Sequence, residues 1–436
     1  MAKKIKSISK RRKDVKRSRR IVTTIEVLFM ALIISALVVW YVPGLKTQLL
    51  KCMASNVWGQ KIISWFGSQA YNDGMYDSDF DSDSLKVNNL KYNYSKEYTN
   101  FVMFGVDSRN KEVDTSNSDS ILIVSIHNTT GKVKMASVYR DTYLGIYDKL
   151  GTQSGYFKIN SAYSKGGPEA AINTLNMNLD LDLKDYLTVN FGGVSHVIDT
   201  LGGVSVNLTE DEKQQLNYHL CSTISSTGRK AKKVKKAGKN IKLNGIQAAT
   251  YCRIRKATFY DPNTGEAISN DFGRAARQRS VVMKLVDKAK KASVTELQDM
   301  VETVMNSDNK KKRIISTSFS FDEIVNLIPV IFDFELEGTT GFPSQLTTGT
   351  IDGASLVIPK GVSANVTELH KFLYGEENYV PTATVQSIDN YVKGYTGVNE
   401  MSEGYDPIKS GIVDKEAITK KNDFDYDDHW ISPYYK

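Results

Sequence analysis

Asp107, Asp119, Arg140 and Asp141 stand at the ends of three short runs rich in β-branched residues. The runs are Phe101 to Val106, Ile121 to Ile126 and Lys132 to Val138, with turn-forming residues between them, including Asn128 to Gly131. This pattern predicts three sequential strands. In an antiparallel meander the first strand ends at Asp107, the second begins near Asp119, and the third ends at Arg140 and Asp141. All four residues then share one edge of the sheet. Three carboxylates and a guanidinium at one edge suit a hard cation and a phosphate.

A second group lies further on. Arg253 and Arg255 close an expected strand, and residues two apart on a strand share a face. Two such guanidiniums repel unless an anion joins them, and bidentate phosphate binding is a task Arg performs better than Lys. Asp271, Arg274 and Gln278 open an expected helix that runs to about Lys290. Arg274 and Gln278 lie four apart, on one helical face. Cations are disfavoured at a helix N-terminus by its dipole, so arginines in these first turns imply a bound anion, which that end of the helix also attracts.

The elements that position these residues alternate. Gly166-Gly167-Pro168 starts a helix, Tyr186 to Phe191 reads as a strand, and Val194 to Leu201 reads as a short helix closed by Gly202-Gly203. Val204 to Leu208 is a further strand. Ser320 and Glu323 form a capping box, and Ser363 to Tyr374 is a helix with Gly375 past its end. The fold class is α/β: a central mixed sheet with helices on both faces, preceded by one transmembrane helix.

The net charge of +8 first suggests nucleic acid. Residues 1–20 hold eleven Lys/Arg and one acid, however, so the remaining 416 residues carry −2 and no nucleic-acid partner is expected. Residues 21–42 form an apolar run with one charge, Glu26, long enough at about 1.5 Å per residue to span a bilayer core of about 30 Å. The basic flank sets residues 1–20 in the cytoplasm and the rest outside. Residues 43–97, rich in Asp, Ser, Asn and Tyr, read as a stalk. The catalytic domain covers 98–292, an α/β segment that packs on or continues it covers 293–393, and residues 394–436 read as a disordered tail. Cys52, Cys221 and Cys252 give no disulfide framework and no zinc spacing, and a Cys221–Cys252 pair stays open. Arg229 to Lys242, with eight Lys/Arg, reads as a solvated loop or as a surface for anionic headgroups or polyanionic glycans.

Gly105-Val106-Asp107-Ser108-Arg109, Ser118-Asp119-Ser120, Tyr139-Arg140-Asp141-Thr142, Lys158-Ile159-Asn160, Gly166-Gly167-Pro168, Leu201-Gly202-Gly203-Val204, Leu243-Asn244-Gly245, Arg253-Ile254-Arg255 and Asp271-Phe272-Gly273-Arg274 with Arg277-Gln278 occur in this order. Behind a single anchor, this set resembles the LytR-CpsA-Psr family. The resemblance covers about residues 98–290. It implies a membrane-anchored, extracytoplasmic phosphotransferase. Such an enzyme moves a glycopolymer (wall teichoic acid or capsular polysaccharide) from polyprenyl pyrophosphate to the C6 hydroxyl of muramic acid in peptidoglycan. By the same resemblance Asp107 and Asp119 hold Mg²⁺ (or Mn²⁺), and Arg109, Arg140, Arg253, Arg255, Arg274 and Gln278 hold the pyrophosphate. The polyprenyl chain is expected in an apolar tunnel. Asp141 and Asp271 are both candidates for the general base. The chain departs from the family pattern at Asn117, where many members carry Arg; the lost phosphate contact either weakens binding or shifts to Arg277 or Arg279. It also departs at Asn190, where many carry Asp. The alternatives are a non-catalytic regulatory member and a polyprenyl pyrophosphatase.

Overall fold

The computed structural model describes residues 75–107, 116–262, 265–292, 314–320, 323 and 334–406. The expected membrane span at 21–42, the tail ahead of it and Arg109 lie outside these residues. Among the described residues no helix is long and apolar enough to cross a membrane.

The three β-branched runs form the meander. Strands β1 (Tyr98–Val106), β2 (Ser118–His127) and β3 (Lys132–Val138) pair antiparallel, with Phe104 opposite Ile121 and Ile123 opposite Ala136. Gly131, at φ 68°, makes the second turn, and its amide donates to the His127 carbonyl at 2.9 Å. The hairpin of β4 (Tyr143–Tyr147) and β5 (Gln153–Lys158) follows, then α1 (Ser161–Leu179). The expected helix at Pro168 is preceded by one more turn, broken from it at Gly166 and Gly167.

Strand β6 (Asp185–Asn190) runs parallel to β1. A satellite unit then joins α2 (Phe191–Thr200), β7 (Val204–Leu208), α3 (Glu210–Thr227), β8 (Gly238–Leu243) and α4 (Gly245–Tyr251). Its own core includes Ile198, Val204, Leu216, Leu243 and Tyr251. The short pair β9 (Phe259–Tyr260) and β10 (Ala267–Ile268) leads into α5 (Asn270–Ala289). The remainder is β11 (Ile315–Thr317), β12 (Glu335–Phe342), the hairpin β13 (Leu346–Ile351) and β14 (Ala354–Pro359), α6 (Val362–Tyr374) and α7 (Ala383–Thr396).

The central sheet has the order β11-β6-β1-β2-β3-β12, with β1/β6 and β3/β12 parallel and the other pairs antiparallel, so it is mixed. One face buries Val102, Phe104, Ile121 and Ile123 against Ile172 and Leu175 of α1, Leu369 of α6 and Ile388 of α7. The other buries Leu122, Val124 and Met135 against Val282 and Met283 of α5. Each such large apolar side chain contributes about 1.5–3 kcal/mol.

Three expectations change. Residues 75–97, read as stalk from their polar composition, pack on the domain. The Lys86 amide donates to Asn173 at 2.7 Å, Asn88 to Asp180 at 2.6 Å, and the Asp77 amide to the Thr317 carbonyl at 2.9 Å. Buried Asn173 and Asn176 of α1 hold the two sides of the Lys86 backbone, Asn173 accepting from its amide and Asn176 donating to its carbonyl at 3.2 Å. No strand ends at Arg255. Helix α4 closes instead in turns, with the Arg253 amide donating to Thr250 O and the Ile254 amide to Tyr251 O. Past Gly394, read as the start of a disordered tail, α7 continues to Thr396, and Tyr405 stacks on Phe272 with its amide 2.8 Å from the Leu346 carbonyl. Cys221 and Cys252 are both free thiols. Burial pushes Cys252 up to about 12.

Candidate active site

The site forms where β1 and β3 end and β2 begins. Asp107 follows β1, Asp119 is the second residue of β2, and Arg140-Asp141 follows β3. Gly105 sits directly below, opposite Ser120, at a shift in register. A Cβ there would lie 2.9 Å from the Ser120 Cβ, so only glycine lets the strands close beneath the two aspartates. The corner is tied by backbone bonds from Asn160 N to Arg140 O at 3.2 Å and from Val357 N to Asp141 O at 2.9 Å.

Arg140 is the hub. Its Nη1 lies 2.5 Å from Asp119 Oδ1, and its Nε lies 3.4 Å from Asp141 Oδ2 and 3.7 Å from Asp271 Oδ2. Lys158 Nζ reaches Asp141 Oδ1 at 2.9 Å. The sequence reading included Lys158 in a motif but gave it no role. Its signal was its place at the end of β5, opposite Tyr143 and two residues from Asp141 across the hairpin.

The satellite unit and α5 bring the remaining groups. Arg253 Nη2 lies 3.5 Å from Asp107 Oδ2, while its Nη1 donates to Thr223 at 3.0 Å and its guanidinium lies over the Phe191 ring at 4.7 Å. Arg255 Nε lies 3.3 Å from Asp271 Oδ1. Arg274 Nη2 donates to Asp271 Oδ2 at 2.8 Å and to the Asp119 carbonyl at 2.9 Å. Asp107, Asp119, Arg140, Asp141, Arg253, Arg255, Asp271 and Arg274 therefore converge. Gln278 stands one step back and donates to the Cys252 carbonyl at 3.2 Å.

The departures from the family pattern are resolved locally. Asn117 turns away and accepts from the Ser164 hydroxyl at 2.6 Å. Asn190 caps α2, accepting from the Gly193 amide at 2.9 Å. Neither Arg277 nor Arg279 replaces the missing cation. Arg277 is fully buried, with Nε 2.9 Å from Glu212 and its other nitrogens on the Ile254 and Ala257 carbonyls at 3.2 and 2.7 Å. Arg279 donates to Ser137 at 2.8 Å. With Gln278, Arg277 holds the carbonyls of the loop that carries Arg253 and Arg255. This bonding replaces the strand pairing the sequence suggested.

Asp119, Asp141 and Asp271 thus form one ion-pair network with Arg140, Lys158, Arg255 and Arg274, beside the Asp107–Arg253 pair. Burial depresses the Arg140 pKa, but Asp119, Asp271 and Asp141 outweigh it and raise the pKa above the usual value. Burial pushes Arg274 down to about 10, opposed by Asp271 and reinforced by Arg140 and Arg255, so it stays charged at neutral pH. His219, depressed by burial and then by Arg253 and Arg255, stands neutral beside them. The network is incompletely bonded. Asp107 Oδ1, Asp271 Oδ1, Arg140 Nε and Arg274 Nε are buried without a hydrogen-bond partner. Such groups cost free energy unless a ligand meets them.

Among the described residues no group of three or more acidic, His or Cys side chains forms a metal cage. Two aspartates with substrate oxygens are nevertheless a usual Mg²⁺ environment, and the unbonded Asp107 Oδ1 fits that use. In the basic run, Arg229 is held by Ser195 at 2.6 Å and Asp199 at 2.8 Å, Val234 is buried, and Lys232, Lys233, Lys235 and Lys236 are exposed.

A model of the LytR_cpsA_psr family matches residues 65–326, more than half of the chain. The chain belongs to the LytR-CpsA-Psr family. Among curated relatives, it is 32% identical over 225 residues to the polyisoprenyl-teichoic acid--peptidoglycan teichoic acid transferase TagU of Bacillus licheniformis, covering 51% of this chain and 60% of that one. It is 32% identical over 192 residues to biofilm regulatory protein A of Streptococcus mutans, covering 43% of each. The match thus spans less than two thirds of either relative. The fold is shared with a crystal structure of protein gbs0355 from Streptococcus agalactiae, at a TM-score of 0.51 and 22% identity over 70% of this chain and 97% of that one.

Proposed function

We propose that this family member is a membrane-anchored, extracytoplasmic phosphotransferase that moves a glycopolymer from polyprenyl pyrophosphate to a peptidoglycan hydroxyl. The observation that carries this reading is the convergence of Arg140, Arg253, Arg255 and Arg274 on an aspartate-lined edge with buried guanidinium nitrogens left unbonded. A pyrophosphate supplies the acceptor atoms those nitrogens lack, and it is the anion that planar guanidiniums bind best.

Asp107 and Asp119 would hold Mg²⁺. When bound there, the ion neutralises charge on the pyrophosphate oxygens. The arginines orient the donor and stabilise the charge that grows on the phosphoryl oxygens and on the departing polyprenyl phosphate. The acceptor hydroxyl attacks phosphorus, so the chain supplies no covalent nucleophile. Its proton needs a carboxylate at the edge. Asp141 is paired with two cations, Arg140 and Lys158, whereas Asp271 is ringed by three, Arg140, Arg255 and Arg274. We assign the base to Asp141, the carboxylate with fewer cations paired to it. The run at 21–42 would anchor the enzyme beside its lipid-linked donor.

A regulatory reading draws on the name of the S. mutans relative. The convergence of Asp107, Asp119, Arg140, Arg253, Arg255 and Arg274 favours turnover. The test is transfer of a labelled glycopolymer from its polyprenyl pyrophosphate to peptidoglycan oligomers by the full chain in detergent. Label joined to peptidoglycan through a phosphodiester is expected. Hydrolysis with no product on the acceptor would indicate a pyrophosphatase instead.

A further inference from the structure

A row of tyrosines leads away from the Asp141 end of the site. In the β4–β5 hairpin Tyr143 lies directly opposite Lys158, and Tyr156 lies two residues from Lys158 on the same face. Lys158 is the residue paired with Asp141. Helix α7 covers that face with Tyr391 and Tyr395, one turn apart. The rings are nearly parallel: Tyr156 and Tyr391 are 3.7 Å apart at 13°, Tyr391 and Tyr395 are 5.8 Å apart at 8°, and Tyr143 and Tyr395 are 6.0 Å apart at 16°. The apolar side of α7 is already used, since Val385, Ile388 and Val392 lie in the core. Tyr391 and Tyr395 are left 43% and 49% exposed, which packing alone does not require.

We propose that this tyrosine face is a binding platform for a glycan chain, and that it seats the acceptor strand so that its hydroxyl meets the Asp141–Lys158 corner. For the identity of the acceptor this rests on the transferase reading above. The face of a phenol ring carries negative charge density, which suits the C–H face of a pyranose. Tyr156 lies face to face with Tyr391 and backs it, so the exposed pair Tyr391 and Tyr395, 5.8 Å apart at 8°, is what offers successive sugars of one chain a surface. The Tyr395 ring is fixed by its hydroxyl, which donates to Asp352 at 2.7 Å at the tip of the β13–β14 hairpin. That carboxylate also disfavours an anionic lipid surface as the occupant. Tyr391 and Tyr395 lie beyond the segment matched by the family model, so the platform gives the C-terminal part of this chain a role of its own.

The test is direct binding of oligosaccharides of alternating N-acetylglucosamine and N-acetylmuramic acid to the full chain in detergent, followed by titration calorimetry. Replacing both Tyr391 and Tyr395 by Ala is expected to weaken binding on the order of tenfold or more. Tyr391→Phe and Tyr395→Phe keep the rings and are expected to retain most of it. Tyr395→Ala alone, at an exposed position, serves if the double variant is unstable, and a several-fold loss is expected. No binding by the unaltered chain, or equal binding by the Ala variants, would overturn the platform. The assay needs no turnover, so failed transfer with normal binding would refute the reaction and leave the platform, and the reverse holds equally.

Discussion

Arg274 and Arg277 stand three residues apart on one helix, and both are almost fully buried. Arg277 spends its guanidinium on Glu212 and on the Ile254 and Ala257 carbonyls. Arg274 bonds Asp271 and the Asp119 carbonyl through one nitrogen and leaves Nε unbonded. The first is a saturated group that holds a loop in place. The second is an unsaturated group facing the carboxylate edge, where a ligand can complete it. Residue type, charge and spacing are the same for both, so bonding state is what separates a structural arginine from a binding one.

The comparison breaks most severely at Arg277. Arg277→Ala leaves Glu212 buried without its cation, and a loss of about 3–5 kcal/mol in urea unfolding is expected. Stability like that of the unaltered chain would mean that the pair is not what holds the Arg253–Arg255 loop. Arg140→Ala tests the unsaturated class: turnover should fall about 10²–10³-fold with the fold intact by circular dichroism. Normal activity in that variant would remove the site. Arg274→Lys keeps the charge but loses the fork, and donor affinity should fall about 10–100-fold.

The smallest effect concerns a saturated neutral group. His370 is buried between the Leu179 carbonyl at 3.0 Å and the Tyr94 hydroxyl at 3.3 Å, and burial lowers its pKa from 6.5. The unfolded chain takes up a proton near 6.5 while the folded chain resists it. The His370 contribution is therefore present above 6.5 and lost as pH falls below it, at up to about 1.4 kcal/mol per pH unit. His370→Gln keeps an N–H for Leu179 and should flatten the acid limb of a melting-temperature profile. An unchanged slope would assign that limb to other groups.

Much of this was legible in sequence. The meander, and with it the shared edge of Asp107, Asp119, Arg140 and Asp141, follows from β-branched runs and turn residues, because local pattern fixes strand order there. The Ser320–Glu323 capping box also forms, with both reciprocal bonds present. What failed depends on non-local bonding. Arg253-Ile254-Arg255 alternates like a strand, yet the Ile254 carbonyl and those of the flanking Cys252 and Ala257 are taken by side chains of α5. Arg277 read as a spare phosphate contact because Glu212, sixty-five residues earlier, is invisible as its partner. Residues 75–97 read as stalk because the asparagines that hold them lie on α1. Lys158 reaches the edge only through the β4–β5 hairpin, so its pairing with Asp141 needed the register.

The central claim is phosphoryl chemistry at this edge. The most direct measurement is release of polyprenyl phosphate from a polyprenyl-pyrophosphate-linked sugar by the full chain, with Mg²⁺ and with chelator, beside Asp107→Ala. Release that needs the metal and is lost in the variant is the expected result. Equal release by the Asp107→Ala variant, or release that chelator leaves untouched, would contradict it.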